Sequence, residues 1–263
     1  MKNKENSIFN GTTFKSILHL TPMVNYPNLK IAIIGTRGVP SNYGGFETFA
    51  EEVSREFIKM GHQVTVYGRK SFGAVADNAD YLGIKRIATS TIYHKYLETP
   101  LSSITAYLDA LKRDFDLVLI CNAANSPFSW ILKLNKYPIA INVDGIERRR
   151  AKWNALGKLW YLLGEKTSVW FADRIVSDAT IISDYYQENY HLRTDLIRYG
   201  CTPKPIPPGE ILRKFGITEK KYLLFVSRLE PENNALGVIQ AYNQLDTEIP
   251  LVIVGDAPYA KEY

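Results

Sequence analysis

Residues 31–61 read IAIIGTRGVPSNYGGFETFAEEVSREFIKMG, and this stretch decides the fold class. Ile31–Ile34 is a short apolar run rich in β-branched residues, the pattern of a buried strand. A glycine-bearing loop follows. Phe46, Phe49, Ala50, Val53 and Phe57 then recur at the i, i+3, i+4, i+7 spacing of one buried helix face. Gly61 stands where a left-handed C-cap wants glycine. This order sets Gly44 and Gly45 at the start of a helix, directly after a strand. Unpaired backbone N–H groups and the helix dipole there suit an anion such as a phosphate. Glycine also lets a ligand come close to the main chain.

Outward from this unit, strand and helix patterns alternate. Gln63–Tyr67 and Ile84–Ala88 read as strands, and Leu101–Lys112 as a helix with Pro100 near its first turn. Leu117–Cys121 is a continuous apolar strand, Ser126–Leu134 looks helical, and Pro138–Val143 is again a strand. A helix is expected over about residues 154–172, a strand at Arg174–Ser177, a helix at Thr180–Tyr190 and a strand at Asp195–Arg198. Such alternation predicts an α/β protein with a Rossmann-like, doubly wound, mostly parallel sheet, whose ligands bind at the carboxyl ends of the strands. The proline-rich CTPKPIPPGE at 201–210 reads as a linker. Beyond it, Tyr222–Val226, Ala235–Leu245 and Leu251–Val254 read as the beginning of a second Rossmann-like domain. The expected organisation is a polar extension over 1–29, a first domain over 30–205 and a partial second domain over 206–263.

The chain has 263 residues, of which 46% are hydrophobic and 22% charged, so it can bury a sizeable core and is not disordered throughout. A net charge of +5 is mildly basic and leaves phosphorylated ligands and anionic lipid open as partners. Nucleic acid fits less well, because the charge is modest and no nucleic-acid-binding motif is present. Two distant cysteines, Cys121 and Cys201, make neither a metal site nor a disulfide framework, and Cys121 reads as a buried thiol. No stretch approaches the ~18 apolar residues of a membrane span, and the N-terminus lacks a signal peptide. A dinucleotide site is disfavoured. The order G-T-R-G-V-P lacks the third glycine in place, and the second strand ends in Tyr67-Gly68-Arg69-Lys70, without an acid for a ribose diol.

Four strings, GTRGVPSNYGGFET (35–48), NVDGIERRRAKW (142–153), FADRIVSDATIISDYY (171–186) and SRLEPENN (227–234), stand in the order expected of a subgroup of family 4 glycosyltransferases. The resemblance covers about residues 30–263. It resembles the bacterial rhamnosyltransferases that build capsule, exopolysaccharide or cell-wall rhamnose polymers. This resemblance implies a GT-B fold, in which an acceptor-side domain faces a sugar-nucleotide domain across a cleft. It further implies retaining transfer of a hexose, L-rhamnose from dTDP-L-rhamnose, to a lipid-linked glycan. No cofactor and no metal are implied, since the sugar nucleotide is a substrate. The implied location is cytoplasmic, peripheral on the inner face of the plasma membrane. Family members begin near the first strand and continue past residue 263 into a paired-glutamate motif that grips the donor. The chain is therefore expected to be C-terminally truncated. Asn233 also stands where many relatives carry a lysine. A catalytically silent fragment, acting at most as an acceptor-binding or interaction domain, is the alternative.

Within that frame the residues take roles. Gly44 and Gly45 would meet the donor phosphate, with Glu47 bonding a sugar hydroxyl; an ordinary strand-to-helix turn, with Glu47 complementing the dipole, is the competing reading. Asp144, just past a strand and before Gly145, is the catalytic candidate, orienting the acceptor hydroxyl or taking its proton; a turn aspartate bonding its own backbone competes. Arg228 would hold the diphosphate bidentately, or pair with a surface acid. Asn122, Asn125 and Ser126 would bond acceptor hydroxyls, or serve as turn and cap residues. Arg148, Arg149, Arg150 and Lys152 beside Trp153 and Trp160 suit an anionic membrane surface. In the competing reading the aromatics pack one long helix and the charges are solvated.

Overall fold

The computed structural model describes residues 27–42, 44–70, 80–94, 96–150, 153–201, 207 and 209–256. The N-terminal extension up to residue 26, most of the proline-rich linker and Lys152 lie outside these. Eight strands form one sheet: β1 (Lys30–Ile34), β2 (Gln63–Arg69), β3 (Asp80–Tyr81), β4 (Ile84–Thr89), β5 (Leu117–Cys121), β6 (Ile139–Val143), β7 (Arg174–Ser177) and β8 (Asp195–Leu196). Their spatial order is β3-β4-β2-β1-β5-β6-β7-β8. All neighbours are parallel except β3 and β4. The order reverses at β1, which pairs with β2 on one side and β5 on the other. In such sheets the reversal opens a crevice at the carboxyl ends of the strands.

The expected Rossmann-like α/β architecture is what forms, because each central strand is buried on both faces. Along β1, Ile31 and Ile33 join one core with Val64, Val66, Ile84 and Ala50 of helix α1 (Gly45–Lys59). Ala32 and Ile34 point the other way, into a larger core with Ile120, Ile141, Tyr107 and Tyr186. Alternate side chains of one strand thus feed two cores, as the two-residue period requires. Helix α1 closes as expected: Gly61 has φ +91° and its N–H donates to the Ile58 carbonyl.

The second face carries helices α2 (Glu98–Ala110), α4 (Ala155–Phe171) and α5 (Thr180–Tyr190). Helix α2 begins three residues ahead of the expected Leu101, which sets Pro100 inside the first turn, where its missing N–H costs nothing. The single helix expected over Ser126–Leu134 splits into a 3₁₀ helix, Ala123–Phe128, and a short α3, Trp130–Lys133. Pro127 inside the first piece removes a donor from any continuous α ladder. Helix α4 lies hard against that 3₁₀ helix at Gly164, where a Cβ would fall 2.5 Å from the Ala123 carbonyl oxygen.

After β8 the chain forms helix α6 (Glu210–Lys214), strand β9 (Leu223–Val226), helix α7 (Ala235–Tyr242) and strand β10 (Leu251–Val254). β9 and β10 pair in parallel as a separate two-stranded sheet. Leu223, Leu224, Val226 and Val254 in this sheet are exposed. No helix among the described residues is long and apolar enough to cross a membrane.

Candidate active site

A cleft of about 470 Å³ opens at the carboxyl ends of β1, β2, β5 and β6. The last residue of β2 supplies Arg69, and the loops after the other strands supply Gly35 and Arg37, Asn122, and Asp144 with Glu147 and Arg150. The first turn of α1 adds Gly44 to Glu47, and the loop after β9 adds Arg228. The 44–45 backbone, Asp144 and Arg228, far apart in the chain, therefore share one cavity.

Helix α1 presents its N-terminus to this cleft without a side-chain cap. Its N-cap, Gly44, has φ +102° and ψ 158°, a conformation open to glycine and strained for other residues. A Cβ there would also lie 2.5 Å from Glu47 Oε2. Glu47 is buried, and its Oε1 accepts from the Arg37 N–H at 2.8 Å. One turn on, Glu51 accepts from the Ser41 N–H at 2.7 Å. The two carboxylates tie the loop after β1 to the helix. The uncapped N–H groups and dipole remain available to an anion.

Asp144 follows β6 directly and is partly buried. Burial pushes its carboxyl above the usual range, and the neighbouring Asp178 and Glu147 charges add to that. A carboxylate shifted this way is a stronger proton acceptor than an exposed one. Beside it, the buried Asn142 donates from Nδ2 to the Tyr199 hydroxyl at 2.9 Å.

Arg150 bonds Glu147 at 2.7 Å and reaches Glu230 at 3.4 Å. Arg228 reaches the other oxygen of Glu230 at 3.5 Å, with its side chain 43% exposed. So Arg228 has both the cleft position and the acid partner that the sequence left as alternatives. Asn233 Nδ2 donates to the Arg228 carbonyl at 2.6 Å, so it steadies that loop.

Other assignments need correction. Ser126 is fully buried and spent: its Oγ bonds the Ala123 and Gly164 carbonyls and the Thr167 hydroxyl, which welds α4 to the 3₁₀ helix. No hydroxyl remains for an acceptor. Asn125 lines the cleft, but its side chain bonds Ser103, the Cys121 carbonyl at 2.7 Å and the Gly35 carbonyl. It braces the loops after β1 and β5 against each other. Asn122 lines the cleft while its Oδ1 caps the Ala124 N–H at 2.9 Å.

The basic and aromatic set assigned to a membrane mostly faces inward. Arg148 bonds the buried Glu165, which also accepts from the Tyr185 and Tyr190 hydroxyls. Arg149 is exposed but lies over the Tyr185 ring. Arg150 belongs to the cleft. Trp153 donates to Glu147, and Trp160 to the Ala124 carbonyl. A long helix packed on one side buries whichever residues point that way, and composition alone cannot tell the two faces apart. The outward face of α4 carries Leu156, Leu159, Leu163 and Trp170, with Lys158 and Lys166 beside them.

Arg37, Arg69, Thr99, Glu147 and Tyr161 also line the cleft and were not singled out from the sequence. For Arg69 the signal was present: it ends a strand on the ligand-binding edge of a doubly wound sheet.

The profile of a domain of unknown function, DUF1972, matches residues 29–202. The chain belongs to that family. No curated protein matches it in sequence. Among solved structures, the DUF1972 chain is similar to sucrose-phosphate synthase from Thermosynechococcus elongatus. The TM-score is 0.63 at 15% identity, over 87% of this chain and 71% of that one. It is similar to Anabaena HepE, solved in complex with UDP and glucose, with TM-score 0.64 and 15% identity over 89% and 63%. A glycosyltransferase from Rickettsia africae ESF-5 gives 0.57 and 14%, over 90% and 62%. The chain therefore has the fold of GT-B glycosyltransferases and spans 62% to 71% of the length of these three.

Proposed function

We propose that this DUF1972 protein is a retaining glycosyltransferase. It moves a hexose, L-rhamnose from dTDP-L-rhamnose, to a hydroxyl of a lipid-linked glycan in bacterial surface polysaccharide synthesis. The observation that carries the sugar-transfer reading is the shared cleft. An uncapped helix N-terminus, a carboxyl with a raised pKa and an arginine from a second parallel sheet converge on it. The donor sugar and the acceptor rest on the four sequence strings at 35–48, 142–153, 171–186 and 227–234.

In this reading residues 30–205 form the acceptor-side domain and residues 206–263 part of the sugar-nucleotide domain. Asp144 orients the acceptor hydroxyl and takes its proton as the new glycosidic bond forms. The old bond breaks with its electrons on the departing diphosphate. Arg228 and the α1 N-terminus stabilise that charge, so preorganised electrostatics supply most of the rate. The sugar nucleotide is a substrate, and neither a metal nor another cofactor is proposed. The assay is incubation with sugar nucleotides and a lipid-linked acceptor. Nucleoside diphosphate release, greatest with dTDP-L-rhamnose, is expected; release with another donor would overturn the rhamnose assignment.

The proposed membrane contact is the outward stripe of α4, where Leu156, Leu159, Leu163 and Trp170 stand beside Lys158 and Lys166. Apolar side chains edged by lysines fit an anionic interface on the inner face of the plasma membrane. Flotation with anionic vesicles tests it. Binding lost in Leu159→Glu and Leu163→Glu supports the contact, and no binding at low salt removes it.

A second reading is favoured by the exposed apolar residues of β9 and β10. Parallel sheets are normally covered on both faces. The described stretch would then bind acceptor without turning over donor, and folded protein with no diphosphate release would support that reading.

A further inference from the structure

Arg69 is 8% exposed and lines the cleft at the carboxyl end of β2. Its backbone N–H donates to the Arg37 carbonyl at 3.1 Å, so the end of β2 lies against the loop after β1 that carries Arg37. An arginine carries five N–H donors, and a buried charge requires partners for them. Here NH1 lies 3.6 Å from Glu98, beyond a hydrogen bond, and NH2 makes a long contact of 3.4 Å to Thr99. Nε is buried and has no hydrogen-bond partner among the described residues. The guanidinium is thus desolvated and poorly satisfied, beside a cavity.

Arg37, Arg69, Arg150 and Arg228 line the cleft with Glu47, Asp144 and Glu147, and Glu230 just behind the lining reaches both Arg150 and Arg228. Glu47 already accepts from the Arg37 backbone and Glu147 already pairs with Arg150. Desolvation, the largest influence on Arg69, opposes its charge. A bound oxyanion would relieve that penalty, and the planar fork of arginine matches phosphate or carboxylate bidentately.

We infer that Arg69 and Arg37 form an oxyanion subsite on the β2 side of the cleft, which takes a phosphate or carboxylate group of the acceptor. The inference rests on the sugar-transfer reading above for the word acceptor, but not for the anion. The subsite stands apart from Arg228, which comes from the loop after β9 and is paired through Glu230. It selects acidic acceptors over neutral ones.

Calorimetric titration of the full chain tests this with methyl phosphate, methyl glucuronide and dTDP as probes. One of the two small anions is expected to bind saturably, and which one does identifies the group on the acceptor. Arg69→Lys keeps the charge opposite Glu98 but loses the fork, and Arg37→Gln removes the second charge. Each is expected to weaken that binding roughly tenfold, while saturating dTDP leaves it in place. Should Arg69→Lys fail to fold, the Nε–Hε resonance of Arg69 in the native chain gives the same answer, by shifting as the anion is added. No saturable binding of either anion to the folded chain overturns the subsite. So does displacement of the anion by dTDP, which would assign these arginines to the donor. Anion binding that depends on Arg69, with no binding of dTDP, would instead keep the subsite and count against the transferase reading.

Discussion

Arg150, on the loop after β6, holds Glu230, on the loop after β9, at 3.4 Å, so an ion pair joins the eight-stranded sheet to the two-stranded one across the cleft. Both side chains are largely buried, and Glu230 also takes Arg228. The same carboxylate therefore ties the two sheets together and fixes the arginine proposed to meet the diphosphate.

Glu230→Gln keeps the shape and removes the charge. It is expected to lower stability by about 2 kcal/mol, the scale of hydrogen bonds to charged groups, with a corresponding fall in the urea midpoint. An unchanged midpoint would show that the pair contributes nothing to holding the sheets together.

Asp144→Asn separates catalysis from stability. Transfer is expected to fall by about 10²–10⁴ if Asp144 handles the acceptor proton. Stability should move the other way. Burial raises the folded pKa of Asp144, so its favourable contribution is intact at low pH and is lost as pH climbs through that raised value. The asparagine variant, neutral throughout, should melt above the native protein at pH 7 and level with it at about pH 3. Equal melting temperatures at both values would refute the shift.

Gly164→Ala probes the contact between α4 and the 3₁₀ helix. The new methyl would meet the Ala123 carbonyl oxygen at 2.5 Å, and backbone must move to admit it. The expected loss is about 1–3 kcal/mol, read by chemical denaturation. A neutral outcome would mean that α4 can slide without cost.

The two cysteines should react differently. Cys201 is exposed, whereas Cys121 is fully buried at the end of β5 and burial pushes its thiol upward. Iodoacetamide at neutral pH should label Cys201 alone, with Cys121 labelled only in denaturant. Mass spectrometry of the labelled native chain decides it.

The sheet was legible because its strands declare themselves twice. Ile31–Ile34 and Leu117–Cys121 are apolar without a break, which marks burial on both faces, and the turns between elements carry glycine or proline. β3 was missed because two residues have no period. The helix over Ser126–Leu134 was misread because Pro127 weighs on hydrogen bonding more than on hydrophobic spacing. Of the site, the positions that topology fixes were visible: Gly44 and Gly45 open the helix that follows β1, Asp144 stands just past β6, and all reach the cleft. Side-chain direction was not visible. Arg148 and Trp160 look like surface residues by type, yet they point into Glu165 and the Ala124 carbonyl. Ser126 looks like a ligand donor and serves as a weld. Local pattern sets which loop a residue occupies, and packing sets where it points.

The rings along the wall beside α4 also give the protein a built-in optical reporter. Trp153 lies 5.0 Å from Tyr161 and donates to Glu147, and both of these partners line the cleft. Trp130 and Trp170 are 47% and 64% exposed, so iodide quenches them first. The emission that survives quenching is expected to come from Trp153 and Trp160, and a shift in its wavelength on filling the cavity would report occupancy without any attached dye.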